Sequence, residues 1–393
     1  MDVLQKGIIT LVRSGLTGER LELPDGFDLE EAVPQIMRHG ILTMAYDGAV
    51  RCGVDKSLPV MQTLFQGYVK CLLLSERQME KLQKVCAALE ENGFDHLLLK
   101  GAVVKNFYPK PELRLMGDAD ILIRKKQYGA ICPVMEALGF KNTAQGYYDY
   151  GWKSKELYVE LHHSLSNPYN TDFNQWLGDG WPRAVKAVEG NCRYEYTRED
   201  HFIYLFVHFT KHYRDGGIGL KHAADLWVYR RANPDMDEAY LEREMEKMNL
   251  RLFYANLLRM LSVWFEDAPE DDVSDFIAQT IFASGAFGSK EVIRKAVSLR
   301  AANKAGSDKR AKGWRLLRMI FPDRIQMQPR YPILKKHPYL LPLLWPVRGV
   351  SALLFRKENI GRQMEQLWQT SEDTIKSYRQ ALNYVGLDYT MKD

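Results

Sequence analysis

At 393 residues the chain can form two or three packed units of roughly 100–200 residues each, and 46% hydrophobic with 26% charged residues is a globular rather than a disordered composition. A formal net charge of +4 excludes the strongly basic footprint of a dedicated nucleic-acid binder and leaves room for an anionic small substrate. Cys52, Cys71, Cys86, Cys132 and Cys192 lack zinc or disulfide spacing, the N-terminus has no signal-peptide pattern, and no apolar run approaches the ~20 residues that span a bilayer, so a soluble cytoplasmic protein with free thiols is expected.

Helical spacing of apolar residues runs from Leu4 to about Ala49 and more strongly from Val60 to Asn92, where Asn92-Gly93 supplies a C-cap. The texture changes at Phe94. His96 to Leu99 is a short apolar run, Lys100-Gly101 opens a helix-like segment from Ala102 to Phe107, and a second apolar run covers Ala119 to Ile123. A helix from about Lys126 to Leu138 follows, then a hairpin of Phe140–Gln145 and Tyr147–Trp152 about Gly146, and an alternating strand over Glu156–Leu161.

Beyond Glu199 helical patterns dominate, over Phe202–Tyr213, Lys221–Tyr229, Leu241–Phe265 and Val273–Phe287, with a last helix over Ile360–Leu382. Prolines between Pro322 and Pro346 are expected to prevent one long helix there. The chain thus divides into a helical segment over 1–93, a mixed strand and helix core over 94–198, and a helical domain over 199–393.

Side chains alternate across a strand, so in Asp118-Ala119-Asp120-Ile121-Leu122-Ile123 both carboxylates share one face and Ala119, Ile121 and Ile123 the other. Paired acids ending a buried strand suit magnesium, a hard cation that takes one or two carboxylates plus substrate phosphates. A third acid would complete a two-ion site. Glu160 is the candidate, sharing a face with Tyr158 and His162 on a strand whose other face, Leu157, Val159 and Leu161, is apolar. Upstream, the turn at Lys100-Gly101 into a helix offers backbone N–H groups to a phosphate, with the lysine as a point charge. Arg114 can clamp a phosphate bidentately or form an ordinary salt bridge.

The stretch LLLKGAVVKNFYPKPELRLMGDADILI over 97–123, with VELHHSL over 159–165 and, more weakly, HFTKH over 208–212, resembles the uncharacterised nucleotidyltransferase-like proteins of bacteria. These belong to the DNA polymerase β-like nucleotidyltransferase superfamily. LKKHPYLLPLLWPVR near the C-terminus also looks similar to that family. The resemblance implies an α+β fold, a nucleotidyltransferase-like mixed β-sheet core flanked by helices, with helical segments on either side. It implies Asp118, Asp120 and Glu160 as metal-binding catalytic acids, two Mg2+ ions and a nucleoside triphosphate as substrate. Lys100, Gly101, Arg114 and His162 would contact the nucleotide. The superfamily's glycine-serine motif stands here as Lys100-Gly101.

The expected reaction moves a nucleoside monophosphate from the triphosphate to a hydroxyl or phosphate of an unidentified small-molecule or protein acceptor, with nucleic acid a possible partner that the sequence does not indicate. A catalytically silent nucleotide-binding or interaction protein and a phosphotransferase are the alternatives. His208 and His212 share a helix face, but the metalloprotease glutamate is missing, so they are expected at the cleft or packed rather than on zinc. Lys221 and Asp225 read as an i, i+4 ion pair, and Gly216, Gly217 and Gly219 as a connection. The aromatic and basic stretch Trp314–Arg356 suits a membrane surface in composition, yet its prolines favour packing across the helical domain.

Overall fold

The computed structural model describes residues 1–146, 148–165, 173, 176–286, 288–305, 311–328, 330–355 and 372–387. Four helices open the chain: α1 (Val3–Thr17), α2 (Leu29–His39), α3 (Leu42–Arg51) and the 33-residue α4 (Pro59–Glu91). Their ends follow local chemistry. Asp2 and Asp28 accept backbone N–H groups at the starts of α1 and α2, and Gly18 and Gly40 adopt the left-handed conformation that closes them.

The mixed core follows, with β1 (His96–Leu98), α5 (Gly101–Val104), β2 (Ala119–Ile123), α6 (Tyr128–Ala137), β3 (Lys141–Gln145), β4 (Asp149–Lys153), β5 (Tyr158–His162), β6 (Val185–Lys186) and β7 (Arg193–Glu195). Among the described residues these strands make one sheet in the order β3-β4-β5-β2-β1-β7-β6. β2 sits near its middle, antiparallel to β1 and parallel to β5. All five of its residues are buried, as expected of a strand with paired neighbours and both faces covered.

Two apolar layers sandwich the sheet. Ala119, Ile121, Ile123, Val159 and Leu161 pack on Leu82, Val85 and Leu89 of α4 and Ile131 and Met135 of α6. Each fully buried Val, Leu, Ile or Met side chain among them contributes about 1.5–3 kcal/mol. On the other face Leu122, Leu97 and Leu99 join a larger cluster with Phe202, Ile203 and Phe206 that also takes in Ile8, Leu11 and Ile36 of the first helices. The apolar interior of α1–α3 is therefore continuous with that of the helices beyond residue 198.

Those helices are α7 (Arg198–Asp215), α8 (Leu220–Ala232), α9 (Glu238–Lys247), α10 (Arg251–Phe265), α11 (Asp272–Ser284), α12 (Lys290–Ala305), α13 (Ala311–Ile320), α14 (Arg324–Met327), α15 (Leu341–Phe355) and α16 (Glu372–Tyr384). The single helix expected over Leu241–Phe265 is two, because the chain breaks at Asn249, whose φ is 55°. The proline-rich stretch is broken into short helical pieces, as expected, although α15 itself runs through Pro346. Of the last expected helix, residues 360–371 lie outside the described ones, as does Tyr147 of the hairpin. No described helix is long and apolar enough to cross a membrane.

Candidate active site

A cavity of about 540 Å³ opens where the ends of β2 and β5 meet α7 and α8. Parallel pairing sets Asp120 opposite Glu160 and Leu122 opposite His162, so period-two alternation on both strands delivers one polar face to the cavity. Asp118, one residue before β2, reaches the same cavity, as do Tyr158 and His162. The sheet thus brings together all three acids expected from the sequence.

Asp120 is the most constrained of them. It is buried, with Lys100 Nζ 2.6 Å and His162 Nε2 2.7 Å from its Oδ1. Burial alone would raise its pKa, but the Lys100 charge and the His162 hydrogen bond overcome this and hold the carboxyl well below the usual range. His162 stands 3.4 Å from Glu160 Oε2 as well. Burial opposes its charge, yet the hydrogen bonds to Asp120 and Glu160 raise its pKa. Asp118 goes the opposite way, pushed up first by burial and then by repulsion from Asp120.

Lys100 itself has φ 47° and ψ −125°, a backbone state that L side chains rarely adopt and that costs about 1–3 kcal/mol. Its ammonium is spent on Asp120 rather than aimed at open space. Gly101 begins α5, and a Cβ there would lie 3.2 Å from Arg114 Nη2. Arg114 lines the cavity but does not present its fork to it. Its Nε and Nη2 donate to Asp225 Oδ1 and Oδ2 at 2.6 and 2.7 Å, and Nη1 donates to the Leu115 carbonyl.

Asp225 also accepts the Tyr108 hydroxyl at 2.8 Å, so its partners are Arg114 and Tyr108. The expected Lys221–Asp225 ion pair is corrected accordingly, since among the described residues Lys221 has no carboxylate within ion-pair distance. Lys221 instead lines the cavity, its pKa pushed down to about 8 by burial and the Arg114 charge. Lys211 has no ion pair among the described residues either. Burial and the Lys100 charge bring it to about 8, and its Nζ sits 5.6 Å from the Tyr148 ring.

His208 and His212, with ring centroids 4.4 Å apart, line this wall beside His222. Burial keeps all three neutral near pH 7, with His212 lowered to about 4. The sequence leaves His208 and His212 at the cleft or packed, and the structure puts both at the cavity. His222, Tyr148 and Tyr204 are marked by no local pattern, and Lys211 only by its place in HFTKH, because the sheet-to-helix packing brings them in.

Residues 25–266 match the family described as an uncharacterised nucleotidyltransferase. The chain belongs to that family. Among curated proteins none matches it. A solution structure of the antibiotic-resistance factor ANT(2'')-Ia is similar over 49% of this chain and 100% of its own, at 12% identity and a TM-score of 0.32. For a nucleotidyltransferase a divalent-ion site is the natural test of the geometry. Donor atoms of Asp120, Glu160 and His162 lie within 4.8 Å of one another, close enough to hold a metal ion. Two of these three donors are carboxylates, the oxygen ligands that a hard divalent cation takes.

Proposed function

We propose that this nucleotidyltransferase moves a nucleoside monophosphate from a magnesium-bound triphosphate to a hydroxyl or phosphate of a small-molecule or protein acceptor. The observation that carries the reading is the meeting of Asp118, Asp120 and Glu160 on one wall of a cavity whose other wall holds Lys211 and Lys221. Acids on one side and, on the other, ammonium groups with no ion pair among the described residues match the two ends of a metal–triphosphate complex.

Asp118, Asp120 and Glu160 would hold the magnesium, which when bound supplies charge neutralisation at the reacting phosphate. Lys211 and Lys221 bind and orient the triphosphate tail from α7 and α8. His162 fixes the Asp120 carboxylate through its 2.7 Å contact and keeps it ionised. Glu160, partly exposed to the cavity, is the group placed to take the proton of an acceptor hydroxyl. Gly101 begins a helix too short to bind an anion by its own dipole, and its part is to let Arg114 pass close behind.

One observation favours the silent alternative, a protein that binds nucleotide without turnover. Lys100 already neutralises Asp120, where the superfamily resemblance would place glycine-serine chemistry instead. Calorimetry with ATP and Mg2+, paired with a pyrophosphate-release assay in cell extract, separates the two. Release that Asp118→Asn and Asp120→Asn each abolish supports transfer. Binding with no release supports the silent protein.

A further inference from the structure

Between residues 311 and 355 the chain carries eight Lys or Arg and a single acid, Asp323. That surplus of seven positive charges exceeds the +4 of the whole chain. The same segment turns large apolar side chains to solvent. Leu316, Leu317 and Ile320 lie on one side of α13, and Leu343, Val347 and Val350, spaced four and three apart, form a stripe along α15. Each of the six is 37–68% exposed. Packing across the helical domain, expected from the sequence, describes the inner side only, where Trp314 reaches the main apolar cluster.

The two helices are tied into one unit. Trp345 of α15 stacks edge-on against Phe321 at 5.0 Å, its Nε1 donates to the Pro322 carbonyl, and Arg348 donates to the Met319 carbonyl. The exposed stripes are therefore held by built contacts within this segment. In the same segment Arg324 and Lys336 are exposed, and Tyr339 is 70% exposed. Exposed apolar stripes on built helices are a common mark of an interaction surface.

We propose that this segment docks the protein on an anionic lipid bilayer, lying in the interface without crossing it. Charge complementarity selects that occupant. A second copy of the chain would bring a further seven positive charges against the first, whereas acidic headgroups neutralise them while the acyl boundary takes up Leu343, Val347 and Val350. An aromatic residue such as Tyr339 suits the headgroup level of such an interface. The inference does not depend on the proposed reaction, because none of these residues lines the active-site cavity.

Sedimentation of the full-length protein with vesicles tests it. Vesicles of phosphatidylcholine mixed with phosphatidylglycerol should pellet the protein at least about tenfold more strongly than phosphatidylcholine alone, and added salt should reduce the difference. The double substitution Leu343→Asp/Val347→Asp should abolish pelleting while pyrophosphate release persists. Arg324→Glu/Lys336→Glu, at exposed positions where folding is not at risk, should weaken it in the same direction. Equal pelleting on both vesicle types, or undiminished pelleting of both variants, would overturn the proposal. So would retention of a polynucleotide, or self-association in the ultracentrifuge lost in the apolar variant, without vesicle binding.

Discussion

The ammonium of Lys100 lies 2.6 Å from Oδ1 of Asp120, so the residue expected to meet a phosphate is paired instead with the acid expected to meet a metal ion. This pair has a consequence for cation binding. Lys100 and a magnesium ion would compete for one carboxylate, and removing the lysine removes the competitor. Lys100→Met should bind Mg2+ about tenfold more tightly by calorimetry, on the order of one screened charge interaction. Unchanged or weaker binding would show that the lysine and the ion occupy separate places.

Gly101, Arg114 and Asp225 act as a stack. Arg114 cannot swing away from a Cβ at position 101, because Asp225 holds its fork with two hydrogen bonds. Gly101→Ala should therefore cost about 1–3 kcal/mol by overpacking. Arg114→Met and Asp225→Asn should each cost about 3–5 kcal/mol, since each leaves a buried polar or charged partner uncompensated. The double variant should lose less than the sum in a denaturant-based cycle. Strict additivity would mean that the pair is not a unit.

Lys211 and Lys221 both titrate near 8 in the free protein, through burial and neighbouring cations. Their charges are present below that pH and disappear as it rises. Affinity for Mg·ATP should fall by about tenfold for each unit of pH above 8 if one charged lysine is required. Lys221→Arg, which stays protonated, should flatten the decline. A binding curve that is level up to about pH 9.5 would remove the lysines from the phosphate site.

His39 accepts the backbone N–H of Leu220 on Nδ1 and is fully buried. Burial lowers its pKa to about 4, against an unfolded value near 6.5. The unfolded chain binds the extra proton between these values, so stability is full above about pH 6.5 and is lost as pH falls toward about 4. The loss should approach about 3 kcal/mol at the lower end. Urea unfolding across that window should reveal it, and His39→Asn, which keeps an acceptor without a titration, should reduce the slope. A slope unchanged in the variant would assign the acid sensitivity elsewhere.

Much of the site is a period-two argument, and that is why it could be read from the sequence. β2 spans Ala119–Ile123 as the alternation predicts, and β5 carries Glu160 and His162 to the same side as Asp120. Where partners lie far apart in the chain the same reasoning fails. The i, i+4 rule paired Asp225 with Lys221, but a bidentate arginine 111 residues upstream fits it better. β6 and β7, of two and three residues, are too short to leave a pattern. The break at Asn249 has neither glycine nor proline to announce it, and Pro346 shows that one proline does not end a helix whose other turns hold.

The most direct test of the central claim follows the label of two ATP preparations. Cell extract and the protein are incubated with Mg2+ and ATP labelled at either the α- or the γ-phosphate, and acceptor-sized products are resolved. Product should carry label from the α-phosphate only, with pyrophosphate released, and no labelled product should form when Asp120→Asn replaces the wild type. Product labelled from the γ-phosphate would contradict nucleotidyl transfer and make the protein a phosphotransferase.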